Sequence, residues 1–223
     1  MDTVDNGWTM TVPKYLVPVS DVPIVAVPAN EASWADLQAI FGTRGYAAYC
    51  QCQTFKMGHY AWTDPPVEVR ALRLRAQTAC GNPDSETTSG IVGYLDGEPV
   101  GWCAVEPRTA YPRLPRQRLA LKERGEDKDD DSVWAVTCFA TRAGYRRRGV
   151  MRALVPAAVE FARERGARAL EAYPMITEPG KEVTWGELHV GSRSIFEDAG
   201  FTEVSHPTPR RVVMRIDFER GGN

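Results

Sequence analysis

The chain has 223 residues, with 27 Lys and Arg against 29 Asp and Glu, for a formal net charge of −2. That length carries one domain with a full core, or one domain plus an extension. The balance of charge argues against nucleic-acid binding through a basic face, and no apolar run reaches the ~20 residues a spanning helix needs.

The opening MDTVDNGWTM lacks the cationic and apolar segments of a secretory signal. Five cysteines, an odd number at irregular spacing, read as reduced thiols of a cytoplasmic protein. The first 20 residues show little periodicity and read as an N-terminal extension (1–20) to a single domain (21–223). Val22 to Val27 suggests a strand, at a sheet edge because of Pro23. Asn30 or Ser33 caps a short helix to about Phe41, which Gly42 ends.

Cys50-Gln51-Cys52 with His59 offers three nearby ligands where a structural zinc takes four. The thiols therefore read as a packed pair, and no metal is expected. Asp64-Pro65-Pro66 opens a helix to about Thr78, with Val67, Ala71, Leu72 and Leu74 inward and Arg70, Arg73 and Arg75 mostly outward. Ile91 to Leu95 and Pro99 to Val105 flank Asp96-Gly97, the pair that suits a two-residue hairpin turn. Glu106 to Asp131 is long for a connection, and its end, KERGEDKDDD, reads as a solvated charged loop.

Val133 to Ala140 is a near-continuous apolar run, as in a central buried strand. After the turn TRAGYRRRG, the residues Val150, Ala153, Leu154, Ala157, Ala158, Phe161 and Ala162 follow helical spacing. Pro156 should kink this helix, and Gly166 stops it. Ala167 to Tyr173 is the next strand. A strand, a short crossover helix and a strand imply a parallel pair. Ser192 to Ala199 is a short helix, followed by strands Phe201 to Ser205 and Arg211 to Phe218. Trp62, Trp102 and Trp134 read as core, Trp185 as a cleft wall, and Cys138 as a small buried residue that can line an acyl channel.

Arg146-Arg147-Arg148-Gly149 lies between the buried strand and the amphipathic helix. A helix N-terminus has unpaired N–H groups and partial positive charge. Gly149 lets backbone approach an anion, and arginines donate to phosphate oxygens. The arrangement suits a pyrophosphate. A solvated basic turn, or an arginine patch for nucleic acid, is the alternative.

These residues resemble the GNAT superfamily of acyl-CoA-dependent N-acyltransferases, whose signature is Arg or Gln, two residues, Gly, one residue, then Gly or Ala. Arg146 to Met151 matches its first two fixed positions, and Ile195 to Phe201 is similar to the superfamily's last helix and Gly-Phe turn. The resemblance spans roughly Ile91 to Phe218. It implies an α/β fold with a mixed, mainly antiparallel sheet, split at a parallel strand pair and flanked by helices. It also implies that pantetheine lies along Phe139, Ala140 and Thr141, that Arg146, Arg147, Arg148, Gly149, Val150, Met151 and Arg152 surround the pyrophosphate, and that His189 stands where an Asn often touches pantetheine. Met151 replaces a small residue, Arg147 a common Gly, and Phe196 a Tyr that in many members protonates the thiolate.

The function implied is transfer of an acetyl group from acetyl-CoA to a primary amine on a small molecule or peptide, by direct attack. Glu171 is the first candidate for the base, Glu106 the second, and Tyr173 a candidate acid. The rival is a non-catalytic acyl-CoA-binding module. No nucleic-acid or membrane partner is expected. The acceptor, the acyl length and a homodimeric state stay open.

Overall fold

The structure, a computed structural model, describes residues 15–17, 23–57, 65–114, 124–177, 184 and 186–219. Its centre is an eight-stranded sheet. In chain order the strands are β1 (Tyr15–Val17), β2 (Ile24–Pro28), β3 (Ile91–Leu95), β4 (Glu98–Pro107), β5 (Val133–Thr141), β6 (Ala169–Ala172), β7 (Thr202–Thr208) and β8 (Arg211–Asp217). They lie in the order β1-β2-β3-β4-β5-β6-β8-β7. Only β5 and β6 are parallel; every other neighbouring pair is antiparallel. Strand β2 is not the edge that Pro23 suggested. Tyr15–Val17 pairs outside it, and Pro23 precedes the first paired residue.

The local signals hold where side chains or glycines satisfy the backbone. Ser33 caps α1 (Trp34–Phe41) through a reciprocal box with Asp36, and Gly42 closes it. The β3–β4 turn puts Asp96 at φ 51° and Gly97 at φ 79°, as a primed turn requires. Helix α2 is Gly45–Cys50 and α3 is Val67–Thr78. The long crossover helix, α4 (Val150–Glu164), keeps Pro156 within an unbroken run. It ends with Ala167 N donating to Ala162 O at 3.1 Å beyond Gly166, a Schellman closure. Helix α5 (Arg193–Glu197) precedes β7.

Helix α3 departs from expectation. Its buried face is Arg70, Leu74 and Thr78, while Leu72 is exposed. Arg70 goes inward because its guanidinium has fixed acceptors there. Its Nε donates to Pro65 O at 3.0 Å, its Nη1 donates to Tyr49 O at 2.7 Å, and the group covers the Tyr49 ring. Hydrophobic spacing alone ranks Leu above Arg, and the capped carbonyls reverse the order.

The charged connection is not a solvated loop throughout. Arg108 Nη1 donates to Glu126 Oε2 at 3.0 Å and to Glu171 Oε2 at 3.2 Å. Arg124 reaches the same two carboxylates, and so does Arg215. Asp130 pairs with Arg168. The segment 124–132 is thus fastened to β6 and β8 by ion pairs around the fully buried Arg108 and Glu171.

Helix α4 packs on one face of the sheet, and its first turn rests against Gly101 of β4. A Cβ at Gly101 would lie 2.4 Å from Val150 Cγ1 and 2.9 Å from Leu154 Cδ1. Gly101→Ala is therefore expected to displace the start of α4 and to lower stability by ~1–3 kcal/mol, as overpacking does. Denaturant unfolding checks the size, and an unchanged midpoint would mean that the helix start yields freely. A second expectation concerns acid. Burial pushes the Glu126 carboxyl up, but hydrogen bonds from Arg108 and Arg124 outweigh it and hold it below the usual carboxylate range. A depressed folded value gives stability that is full above the unfolded pKa of ~4.3 and is lost as pH falls through the folded value. Glu126→Gln should flatten this acid limb in unfolding measured from neutral pH to about pH 3. An identical limb in the variant would remove Glu126 from its cause.

Candidate active site

The site follows from a strand with too few neighbours. Strand β5 pairs with β6 only from Val133↔Ala169 to Val136↔Ala172, so residues 137–141 have no strand on that side. Past Ala172 the chain turns away, and Met175 bridges to Ser192 and Arg211 instead. On its other side β5 stays paired with β4, but with one residue extra. Ala104 opposes Cys138 and Val105 opposes Val136, which leaves Thr137 as a bulge at the point where the split begins.

A cleft of about 370 Å³ runs along the unpaired half. Phe139, Ala140, Thr141, Arg146, Met151 and His189 line it, so six of the expected cofactor contacts come together. Its opposite wall is Ala39 to Ala47, the α1–α2 segment, which carried no motif in the sequence. The basic turn closes one end. Arg147 has φ 60° and Gly149, the N-cap of α4, has φ 76°. The left-handed backbone at Arg147 accounts for glycine being common there in the superfamily. The first N–H groups of α4 have no intrahelical acceptor, and Arg146, Arg147 and Arg148 stand exposed around them. Val150 instead packs inward against Gly101, and Arg152 pairs with Asp198. The side chains of these two expected contacts are turned to the core and to Asp198, just past α5, while their backbone N–H groups stay in the first turn of α4.

The other end of the split is polar and buried. Thr137 Oγ1 and Tyr111 Oη are buried beside each other, with no further hydrogen-bond partner among the described residues. Nearby, Glu106 forms an ion pair with Lys56, whose Nζ also lies 3.2 Å from Ser89 Oγ and 4.8 Å from the Tyr111 ring centroid. His189 lines the cleft and also a second cavity beyond it. Its Nδ1 lies 2.6 Å from Gly186 O. A carbonyl only accepts, so Nδ1 carries the hydrogen. Burial lowers the imidazole pKa below its ordinary value, so the ring is neutral at pH 7 and Nε2 is a bare acceptor. That Nε2 is buried without a partner among the described residues.

Glu171 and Tyr173 face the same side of the sheet but are engaged otherwise. Glu171 accepts from Arg108, Arg124, Arg215 and the Tyr173 hydroxyl, which donates to Oε2 at 3.0 Å. A carboxylate has about four acceptor positions, and these donors occupy them. Tyr173 is buried, its hydroxyl committed to Glu171. Phe196 is wholly buried between Phe139 and Phe201, with ring centroids 6.1 and 5.2 Å away. It is a core residue at the position of the superfamily's tyrosine.

The thiols pack as pairs with other groups. Cys52 Sγ accepts from Trp102 Nε1 at 3.3 Å, and Cys50 Sγ lies 2.8 Å from Thr54 Oγ1. Trp102 and Trp134 are core, whereas His59, Trp62 and Trp185 lie outside the described residues. Lys56, Tyr111 and Thr137 were missed by sequence reasoning. Thr137 alone left a signal, as the polar residues Thr137 and Thr141 are the breaks in an otherwise apolar strand.

The family model of the GNAT acetyltransferases matches residues 47–179. No curated protein matches the chain. Among solved structures, an acetyltransferase is similar with a TM-score of 0.52 at 17% identity, covering 87% of this chain and 100% of its own. An N-acetyltransferase from Staphylococcus aureus Mu50 aligns with a TM-score of 0.49 at 13% identity, covering 87% of this chain and 98% of its own. The yncA protein of Salmonella typhimurium, solved with its cofactor acetyl-CoA, aligns with a TM-score of 0.48 at 14% identity, covering 89% and 96%. The first of these supports the split mixed sheet with flanking helices. The family match runs from α2 across the half-paired strand, the basic turn and α4, and on it the chain belongs to the GNAT acetyltransferase family, with acetyl-CoA as cosubstrate.

Proposed function

We propose that the protein is a cytoplasmic N-acetyltransferase that moves the acetyl group of acetyl-CoA to a primary amine by direct attack. One observation carries the reading. The unpaired half of β5 leads from a turn fit for a pyrophosphate to the buried hydroxyls of Thr137 and Tyr111, which have no partner beyond each other among the described residues. The free N–H and C=O groups of residues 137–141 suit a pantetheine arm, which carries amides. The first-turn amides of α4, with Arg146, Arg147, Arg148 and Gly149, suit the phosphates. Thr137 Oγ1 and Tyr111 Oη are donors available to the acetyl carbonyl oxygen, where charge develops. Free cysteines throughout the described residues agree with a reducing compartment.

An amine of lysine type has a pKa near ~10.4 and reaches the site protonated at neutral pH. Glu106 takes the first proton from the ammonium, which frees the nitrogen lone pair to bond to the acetyl carbon; the second proton leaves the nitrogen for solvent as the carbon–sulfur bond breaks. Lys56 holds Glu106 in place. The leaving thiol, of pKa ~8.5, departs as thiolate and takes a proton from solvent. No acid at Phe196 is needed. Glu171, filled by its arginines, serves as the anchor of the 124–132 segment in this reading.

Two measurements test it. Thiol release with acetyl-CoA and a panel of primary amines should be lowered ~10²-fold in kcat by Glu106→Gln, with acetyl-CoA affinity kept. Full kcat in that variant would move the base elsewhere, and acetyl-CoA binding without thiol release from any amine would leave a binding module. Gly149→Glu puts a carboxylate and a strained left-handed residue at the helix N-cap, so calorimetry should show acetyl-CoA binding lost. Unchanged affinity would displace the phosphates from this turn.

A further inference from the structure

Beyond His189 lies a second cavity of about 200 Å³, walled by Phe55, Leu114, Tyr173, Val190 and Val213. This is below the ~300–1,000 Å³ of clefts that take drug-sized ligands, so it admits a molecule no larger than one amino acid. Its walls are mostly apolar, with Thr54, His189 and Arg211 as polar members. Arg211 lines it from the start of β8. The only hydrogen bond of this guanidinium among the described residues is Nη1 to Tyr173 O at 3.3 Å, and it has no ion pair there. Glu187, whose charge reaches it, is taken up by Arg210 and by Thr184. A guanidinium has five N–H donors in a fork that matches a carboxylate, and most of this fork is unused beside an apolar cavity.

The cavity shares His189 with the cleft along β5. The unpartnered Nε2 of that ring accepts but does not donate. One cavity therefore offers an apolar hole and an anion-binding fork, with an unpartnered N–H acceptor held in the ring that walls it.

We infer that this cavity is the acceptor site and that its substrate is a small apolar α-amino acid: carboxylate on Arg211, side chain against Phe55 and Leu114, amine at His189 Nε2 facing the split. The inference rests on the N-acetyltransferase reading and names its substrate class.

The test compares L-phenylalanine and L-leucine with phenethylamine and isoamylamine, the same molecules without the carboxylate. With acetyl-CoA, thiol release should favour the acids at least tenfold in kcat/KM. Arg211→Met should abolish that preference with acetyl-CoA affinity intact, which also shows that the variant is folded, and Arg211→Lys should keep part of it. Amines equal to the acids in the wild type, or a preference that survives in Arg211→Met, overturns the inference. Calorimetry with L-phenylalanine on the CoA-loaded protein separates the two readings. Binding lost in Arg211→Met without thiol release from any amine keeps the pocket and sinks the transfer. Thiol release from carboxylate-free amines with no binding of the acids does the reverse. Neither binding nor release sinks both.

Discussion

A buried strand cannot leave its backbone N–H and C=O groups without partners, and β5 has partners on only one side along residues 137–141. The sheet could have closed this gap by running β6 further. Instead the chain leaves at Tyr173, and Met175 N donates to Gly191 O while its carbonyl accepts from Arg193 N. What remains is a slot along residues 137–141 with amide donors and acceptors on the side β6 does not cover. In the proposed reading, a cosubstrate arm that carries its own amides would complete the sheet. The basic turn, the crossover helix and the buried polar groups are all arranged around that vacancy in the ladder.

Keeping the slot open requires rigidity on both sides. Gly101 lets α4 come down on β4, which fixes the start of the helix beside the basic turn. On the far side, Arg108, Arg124 and Arg215 converge on Glu126 and Glu171 and tie β6 and β8 to the segment 124–132. Buried ion pairs add little net stability compared with apolar packing. Their use here is positional, since β6 must be held although it shares only four paired positions with β5.

Much of this was legible in the sequence, for reasons that can be stated residue by residue. The Ser33–Asp36 box, the Asp96-Gly97 turn, the inward face of α4 and the Gly166 stop are local devices, each satisfying the backbone within a few residues. The Arg146 to Gly149 turn is read the same way. Arg70, Arg124 and Arg211 were not legible. Each has a position decided by a carbonyl, a carboxylate or a cavity distant in the chain, and charge alone assigns such residues to solvent. Glu171 shows the same limit. Alternation correctly put it on the face of Tyr173, but its neighbours Arg124 and Arg215 come from 47 and 44 residues away. The wall Ala39 to Ala47 shows it again, because a surface that only bounds a cleft needs no special residue.

The bulge at Thr137 has a bearing on how this sequence can change over generations. Along β5, Trp134 and Val136 belong to the core under α4, and so does Phe139, an odd number after two even ones. Ala135 packs on the opposite side, and Cys138 and Ala140 do so as well. The inserted residue resets the strand's inside–outside phase midway. Exchanging one side chain for another along β5 leaves that phase alone. Removing or adding a single codon near position 137 would not, because Phe139 would trade places with Cys138 and the mouth of the slot would lose its lining. Drift along this strand is therefore confined to replacement, and its length is held fixed by parity.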